Sequence, residues 1–516
     1  MKQEAVTLVH CCQELEKCKR KCVLPQKNLY LSFDHESINN WWILTSEMRE
    51  GGTTRILEET VKFLRDFSWI YNFKVTNALS DNIVDNIPDS WKIFLTDLSV
   101  EEFNEIFYDN QNKASIPGDV NKFLDLYYSV TEAVDSCCKV GRNQRVLHKV
   151  TNLKDQDNRG INPKKKHEID QFSQFLSSEL NKNNICIIDI GSGLGYLGER
   201  LTAAGFSVVG VEASADHIVR ADKRSSKSSS HTFSTIQVNI DDTPEAVEAL
   251  KNSVQCSEER QICLTGLHCC GDLTPSILKM FAREESFHSV AVLSCCYHKM
   301  SHKHSQGFTN FPMSLQLQEA VETCDNAHEI FNVFMFRLAA QENQVKWRNQ
   351  TEADHTNHMN NVGFRAVLEK VCQDRNIPVK KKNRRGVLKN SFNNLSSFIH
   401  SLQERYEFSE SELTTISQDI RKFCEENTKI FHVLEMLTGL QFLLQSVIEK
   451  LIICDRFLFL KENCDLLTCE VVEIFDPKLS PRNKLLFAIK QWPGLNLNLI
   501  ADSEISLEGD IWGWGR

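Results

Sequence analysis

Ile185-Cys186-Ile187-Ile188-Asp189-Ile190-Gly191-Ser192-Gly193-Leu194-Gly195 constrains what this chain can fold into more than any other stretch. The apolar run reads as a buried strand. It closes on an acid, and glycines then occupy every second position. Glycine admits positive φ and lets a ligand lie against bare backbone. Leu194, Leu197, Leu201 and Ala204 follow on one face of a helix, with Gly205 placed as its C-cap. Strand, glycine turn and helix in that order make a cradle for a small molecule. Its anionic group would meet the free N–H groups of a helix N-terminus. A glycine turn can also be purely structural, so the strands that follow have to decide.

A second apolar strand, 206–211, leads into Glu212, and a third candidate, Thr235–Ile240, leads into Asp241-Asp242. Acids at three successive strand ends argue against a plain turn. The dinucleotide fingerprint G-x-G-x-x-G fails when counted from Gly191, because its sixth position is Tyr196. Counted from Gly193 it is met through Gly195 and Gly198, so NAD is weakened rather than excluded. The D-x-G-x-G form resembles the first motif of class I S-adenosylmethionine methyltransferases. That resemblance implies that Asp189, Gly191, Gly193 and Gly195 hold the methionine part of the cofactor. An acid about 20 residues beyond the glycines suits a ribose diol in either reading, which places Glu212 there. Asp241 corresponds to the residue that meets the adenine amino group.

The chain has 516 residues, 41% hydrophobic and 25% charged, which is ordinary globular composition. A net charge of −10 argues against a surface coated uniformly for nucleic acid. Nineteen cysteines and no apolar leader at Met1–Val9 point to a reduced intracellular compartment, cytoplasmic or nuclear. The longest apolar tracts are interrupted at Asp455 and Arg456, short of a membrane span. His10, Cys11, Cys12, Cys18 and Cys22 lack a C-x-x-C pair and read as reduced surface cysteines.

The expected fold class is α/β: a class I methyltransferase (Rossmann-like) sheet with an N-terminal helical region and a long helical insertion before the last two strands. Residues 1–50 form an N-terminal extension and 51–150 a helical region. The polar segment 151–167 marks a boundary, and a helix from Glu168 to Leu180 leads into the glycine motif. Core strands one to five fall within 151–300, the fourth at 261–267 and the fifth at 289–294. The helical insertion covers 301–465, the terminal strand hairpin 466–491, and a tail 492–516.

Two Cys/His motifs stand just outside strand ends, where doubly wound sheets do their chemistry: His268-Cys269-Cys270-Gly271-Asp272 and Cys295-Cys296-Tyr297-His298. Buried cysteines at tight strand exits are the plain alternative. The candidate catalytic set is His268, Asp272, Cys295, Cys296, Tyr297 and His298, which would position the methyl acceptor and supply a base. A nucleophilic thiolate at Cys269, Cys270, Cys295 or Cys296 is a second possibility. Cytosine-C5 methyltransferases place cysteines after these same strands, but their Pro-Cys and Thr-Cys contexts are absent. The Asp-Pro-Pro-Tyr signature of amine methylation is also absent. A metal is not expected, because adjacent cysteines do not easily give two ligands to one tetrahedral ion.

The segments 268–273 (HCCGDL), 295–298 (CCYH), 162–168 (NPKKKHE) and 475–483 (FDPKLSPRN) together resemble the methyltransferase-like protein 25 family, as do 337–342 (RLAAQE) and 364–368 (FRAVL). The resemblance implies an S-adenosylmethionine-dependent methyltransferase of unknown substrate. The HCCGD and CCYH pair is also similar to a tRNA 2′-O-methyltransferase group, whose zinc-finger array this chain lacks. RNA leads as substrate class, with protein next. A methyltransferase fold kept as a non-catalytic binding scaffold is the alternative. Two dense basic runs, Lys164-Lys165-Lys166 and Lys380-Lys381-Lys382 with Arg384-Arg385, are the expected phosphate contacts.

Overall fold

The computed structural model describes residues 52–111, 116–138, 140–142, 161–225, 234–254, 261–303, 307–382 and 392–491. Ten strands occur among them. They are β1 (Val140–Arg142), β2 (Ile185–Ile190), β3 (Ser207–Glu212), β4 (Ser234–Gln237), β5 (Gln261–Cys269) and β6 (Phe287–Ser294). A short ribbon, β7 (His302–Lys303) with β8 (Gly307–Phe308), precedes β9 (Leu466–Glu473) and β10 (Lys484–Lys490).

Eight of these strands form one sheet in the order β1-β9-β10-β6-β5-β2-β3-β4. β4, β3, β2, β5 and β6 run parallel. β10 lies antiparallel between β6 and β9. That inserted antiparallel strand distinguishes the sheet from the 3-2-1-4-5-6 order of dinucleotide-binding folds. It is the class I methyltransferase sheet with one further edge strand, β1, paired parallel to β9. The order reverses between β3 and β5, and β2 ends there with the glycine turn.

All six residues of β2 are buried, as expected of a central parallel strand covered on both faces. Side chains alternate between the faces. Ile185 and Ile187 join one core with Phe172, Phe175 and Leu201, and Ile188 and Ile190 join the other with Ile277 and Phe281. The helices include α1 (Gly52–Asp66), α2 (Asp89–Asp97), α3 (Gly118–Cys138), α4 (Pro163–Glu179), α5 (Tyr196–Ala203), α6 (Ala215–Ser225), α7 (Pro244–Ser253), α8 (Leu273–Arg283), α9 (Glu352–Asp374), α10 (Glu410–Glu426) and α11 (Ile430–Asn463). The insertion between β6 and β9 is thus largely helical. Its buried Phe364, Phe398 and Ile420 belong to the same core that covers Ile188 and Ile190.

α11 is one unbroken helix of 34 residues. It is apolar enough to pass as a membrane span, but 83% of its most apolar window is buried inside the protein. A helix hydrophobic all round belongs in a large core, and each fully buried Leu, Ile or Phe contributes about 1.5–3 kcal/mol. Its buried polar residues are partnered. Both carboxylate oxygens of Asp455 accept from the backbone N–H of Met313, and one also accepts from the N–H and hydroxyl of Ser314. Glu449 accepts from the Arg482 guanidinium at 2.7 Å and from the Tyr297 hydroxyl at 3.2 Å.

Three expectations need correction. α4 starts at Pro163, not at Glu168, so the basic run belongs to a helix rather than to a boundary loop. Asn162 is its N-cap, accepting from the N–H of Lys165 at 2.8 Å, and Pro163 occupies the first turn. β4 ends at Gln237, three residues earlier than expected, which leaves Asp241 four residues beyond the sheet. β5 continues to Cys269, so the HCC motif begins on the strand itself.

Candidate active site

The turn after β2 is held in the shape its glycines allow. Gly191, Gly193 and Gly195 have φ of +72°, +57° and +74°. The N–H groups of Gly191 and Ser192 both donate to the Val211 carbonyl. Glu212 accepts from the N–H of Gly193 at 2.9 Å through one carboxylate oxygen and from that of Ser214 at 3.0 Å through the other. The acid at the end of β3 therefore braces the glycine turn, and each oxygen keeps a lone pair for a ligand hydroxyl.

Beside this turn lies a cleft of about 420 Å³, lined by Asp189, Gly191, Ser192 and Gly193 on one side and by Asn162, Lys164, Lys165 and Glu168 on the other. Leu194, Tyr196, Leu197, Leu267, Ile169 and His268 complete it. The volume suits a cofactor-sized ligand. Asp189 is buried, and one of its carboxylate oxygens has no hydrogen-bond partner; the hydroxyl oxygen of Ser192 is likewise unpartnered. Burial pushes the Asp189 carboxyl up to about 7, and the Glu212 charge adds to this against a backbone hydrogen bond from Gly198. A buried acceptor without a donor is unstable as it stands. An ammonium group in the cleft would complete it. The donors, the bare glycine backbone and the volume fit the amino-acid end of S-adenosylmethionine.

The opposite wall is built by α4. Glu168 is 3% exposed. It accepts from the Ser480 hydroxyl at 2.6 Å and meets His268 Nε2 at 3.1 Å. Burial would raise its carboxyl, yet the hydrogen bonds from His268 and Ser480 hold it below the usual glutamate value. The Tyr196 ring lies between two cations, Lys165 at 4.2 Å and Arg224 at 3.9 Å. Burial and the Arg224 charge lower the Lys165 ammonium. Lys166 pairs with Asp170 at 2.8 Å.

Two of the segments that carried the family resemblance, 162–168 and 475–483, meet at this wall, and the second also reaches 337–342. Asp476 donates its N–H to His167 Nε2, Ser480 binds Glu168, and Arg482 joins Glu449 while donating to the carbonyls of Ala339 and Gln341. Glu168 escaped the sequence reading because one acid after a basic run carries no spacing signal. The capped helix start, Asn162-Pro163, was the available clue.

The Cys/His residues divide into groups. His268 has φ of +65° on a bulged stretch of β5 and lines the cleft. His298 is half-buried, and its Nδ1 has no partner; burial and the nearby Arg337 and Lys299 charges lower its imidazole. Cys270, Cys295 and Cys296 cluster at the two strand exits, with Cys270 and Cys295 sulfurs 3.0 Å apart. Hydrogen bonding from Cys295 pulls the Cys270 thiol down to about 5, while the same contact pushes Cys295 up.

Asp272 accepts from the N–H and hydroxyl of Ser301 and from the Asn310 amide, tying α8 to the ribbon. Tyr297 is fully buried, its ring under the Arg456 guanidinium at 5.3 Å. Neither lines the cleft. Asp241 is exposed and accepts from the Thr243 hydroxyl beside α7; it does not line the cleft. Lys380 and Lys381 are exposed, and Lys382 donates to the Gln403 carbonyl. Arg384, Arg385, the N-terminal cysteines and the tail lie outside the described residues.

Residues 164–303 match the model of a methyltransferase domain. A human protein named probable methyltransferase-like protein 25 is 28% identical over 278 residues, 52% of this chain and 43% of that protein. Its mouse counterpart is 29% identical over 244 residues, 45% and 38% of the two chains. Over that region the chain is similar to the methyltransferase-like protein 25 family. The matched region spans less than half the length of those relatives. Among solved structures, TrmK of M. capricolum with S-adenosyl-homocysteine is 18% identical over 24% of this chain and 50% of that one, at a TM-score of 0.18. A likeness that low adds no weight to the strand order. The cleft's donors and volume fit S-adenosylmethionine as the cofactor of a methyltransferase domain.

Proposed function

We propose that this chain is a methyltransferase of the methyltransferase-like protein 25 kind that transfers a methyl group from S-adenosylmethionine to RNA. The observation that carries the reading is the buried, unpartnered Asp189 oxygen under a glycine turn, in a cleft that also holds the His268–Glu168 pair. Bound there, S-adenosylmethionine supplies an electrophilic methyl on a sulfonium.

Asp189 and the Gly191–Gly195 backbone hold the amino-acid end, and Lys165 supplies a positive charge for its carboxylate. Glu212 offers its remaining lone pairs to the ribose. Glu168 fixes the tautomer of His268: with Nε2–H donated to the carboxylate, Nδ1 is left as an acceptor. His268 Nδ1 is then the base that takes a proton from the acceptor hydroxyl or amine as it attacks. Holding the reactants in attack geometry supplies much of the remaining rate. The exposed Lys380 and Lys381, with Lys164 at the cleft wall, support a polyanionic acceptor.

Incubating the chain with tritiated S-adenosylmethionine and separated cell RNA and protein tests this. RNA should gain label, and the Asp189→Ala variant should transfer none. Label in protein alone would overturn the substrate, and label in neither would leave a binding scaffold.

A further inference from the structure

Three sulfurs converge where β5 and β6 end. Cys270 and Cys295 are 3.0 Å apart, Cys295 and Cys296 are 3.7 Å apart, and all three sulfurs lie within 4.8 Å of one another. Around a tetrahedral zinc with Zn–S bonds of about 2.3 Å, sulfurs stand roughly 3.8 Å apart. The Cys295–Cys296 spacing matches that value, the Cys270–Cys295 spacing is shorter, and the third lies within 4.8 Å, so small shifts would admit the ion.

The sequence argued against a metal because adjacent cysteines do not easily give two ligands to one tetrahedral ion; in a strand their side chains would point to opposite faces. The structure removes that objection. β6 stops at Ser294, and Cys296, with φ −95° and ψ 66°, has left the extended region to begin a turn. Consecutive side chains no longer alternate there, and both sulfurs reach the same point.

The backbone holds the two exits together without help from the thiols. The N–H groups of Gly271 and Lys299 both donate to the Cys296 carbonyl. Gly271 has φ of +58°, and a Cβ there would stand 2.8 Å from the Lys299 carbonyl oxygen. His268, two residues before Cys270, also has positive φ where β5 loses register with β6. Unfavourable backbone on this scale persists where surrounding structure enforces a particular side-chain placement. Beneath the cluster, the buried Arg456 interacts electrostatically with Cys295. Three thiolates around a divalent cation carry a net charge of −1, which a guanidinium opposes well.

We propose that Cys270, Cys295 and Cys296 form a binding site for one thiophilic divalent cation of the zinc class, held by three thiolates with its fourth position open. Among the described residues, no fourth Cys, His or acidic ligand atom joins the group. Three protein ligands and an exchangeable fourth position are the pattern of reactive rather than purely structural zinc sites. Binding releases the protons still held by the thiols. A Cys270–Cys295 disulfide would use two of the sulfurs and give no reason for the third to converge.

The test reads metal, not methyl transfer, so its failure is separable from failure of the enzymatic reading. The full chain, purified under reductant, is titrated with Zn2+ beside a Cys270→Ser/Cys296→Ser variant and a Cys424→Ser control. The wild type and the control should bind one equivalent more than the double variant, which also discounts metal held by the N-terminal cysteines. Equal stoichiometry in all three overturns the proposal. So does a Cys270–Cys295 disulfide, found by mass spectrometry, that forms equally with and without Zn2+. Should circular dichroism show the double variant unfolded, Co2+ titration of the wild type decides. Thiolate-to-cobalt absorption of tetrahedral intensity, lost in the single Cys270→Ser variant, supports the site, and its absence overturns it.

Discussion

Asp189→Asn separates the electrostatics of the glycine turn from its packing. Asn has nearly the shape of a protonated Asp, but it cannot ionise. In the folded chain, burial and the Glu212 charge move the Asp189 carboxyl from 3.8 to about 7. A shift of about three units corresponds to about 4 kcal/mol between the two protonation states. The folded protein binds this proton more tightly than the unfolded chain does. The contribution is therefore fully present below about pH 4 and is lost as pH rises through about 7. Urea unfolding of wild type and variant, at matched salt from pH 4 to pH 8, isolates the effect. The stability of Asp189→Asn relative to wild type should climb by up to about 4 kcal/mol across that window and level off above it. The variant should also bind S-adenosylmethionine more weakly at pH 8, where wild type presents a carboxylate. A stability difference independent of pH would refute the account of Asp189 as a strained, ligand-seeking acid.

Two further outcomes follow from packing. Gly271→Ala forces a Cβ against the Lys299 carbonyl in a left-handed conformation; it should cost about 1–3 kcal/mol in thermal or urea melts. Arg482→Met strips the guanidinium from buried Glu449 and should cost about 3–5 kcal/mol, whereas Glu449→Leu/Arg482→Met should recover much of the loss. A double variant no more stable than the single one would show that the Ala339 and Gln341 contacts of Arg482 matter more than its charge.

Much of the sheet was legible because its strands are short apolar runs with acids or glycines at their ends. The strands at 185–190, 207–212 and 484–490 fall where periodicity puts them, while β5 runs two residues further and β6 starts two residues earlier than expected. What was not legible depended on distant partners. α11 reads in pieces because Asp455 and Arg456 interrupt its hydropathy, yet both are accommodated in the core, by Met313 and Ser314 and by the Tyr297 ring. Glu168 became a site residue only when Ser480 and His268, 312 residues and 100 residues away, were folded against it. Asp241 looked like a strand-end acid, but β4 is partly exposed and lets go early. The cysteine trio depended on a backbone break that no local pattern announces.

The account rests on one cleft holding one cofactor. Calorimetric titration of the full chain with S-adenosylmethionine, and separately with NAD, tests it most directly. The structure predicts single-site binding of S-adenosylmethionine with no heat from NAD. Tight binding of NAD without binding of S-adenosylmethionine would contradict it.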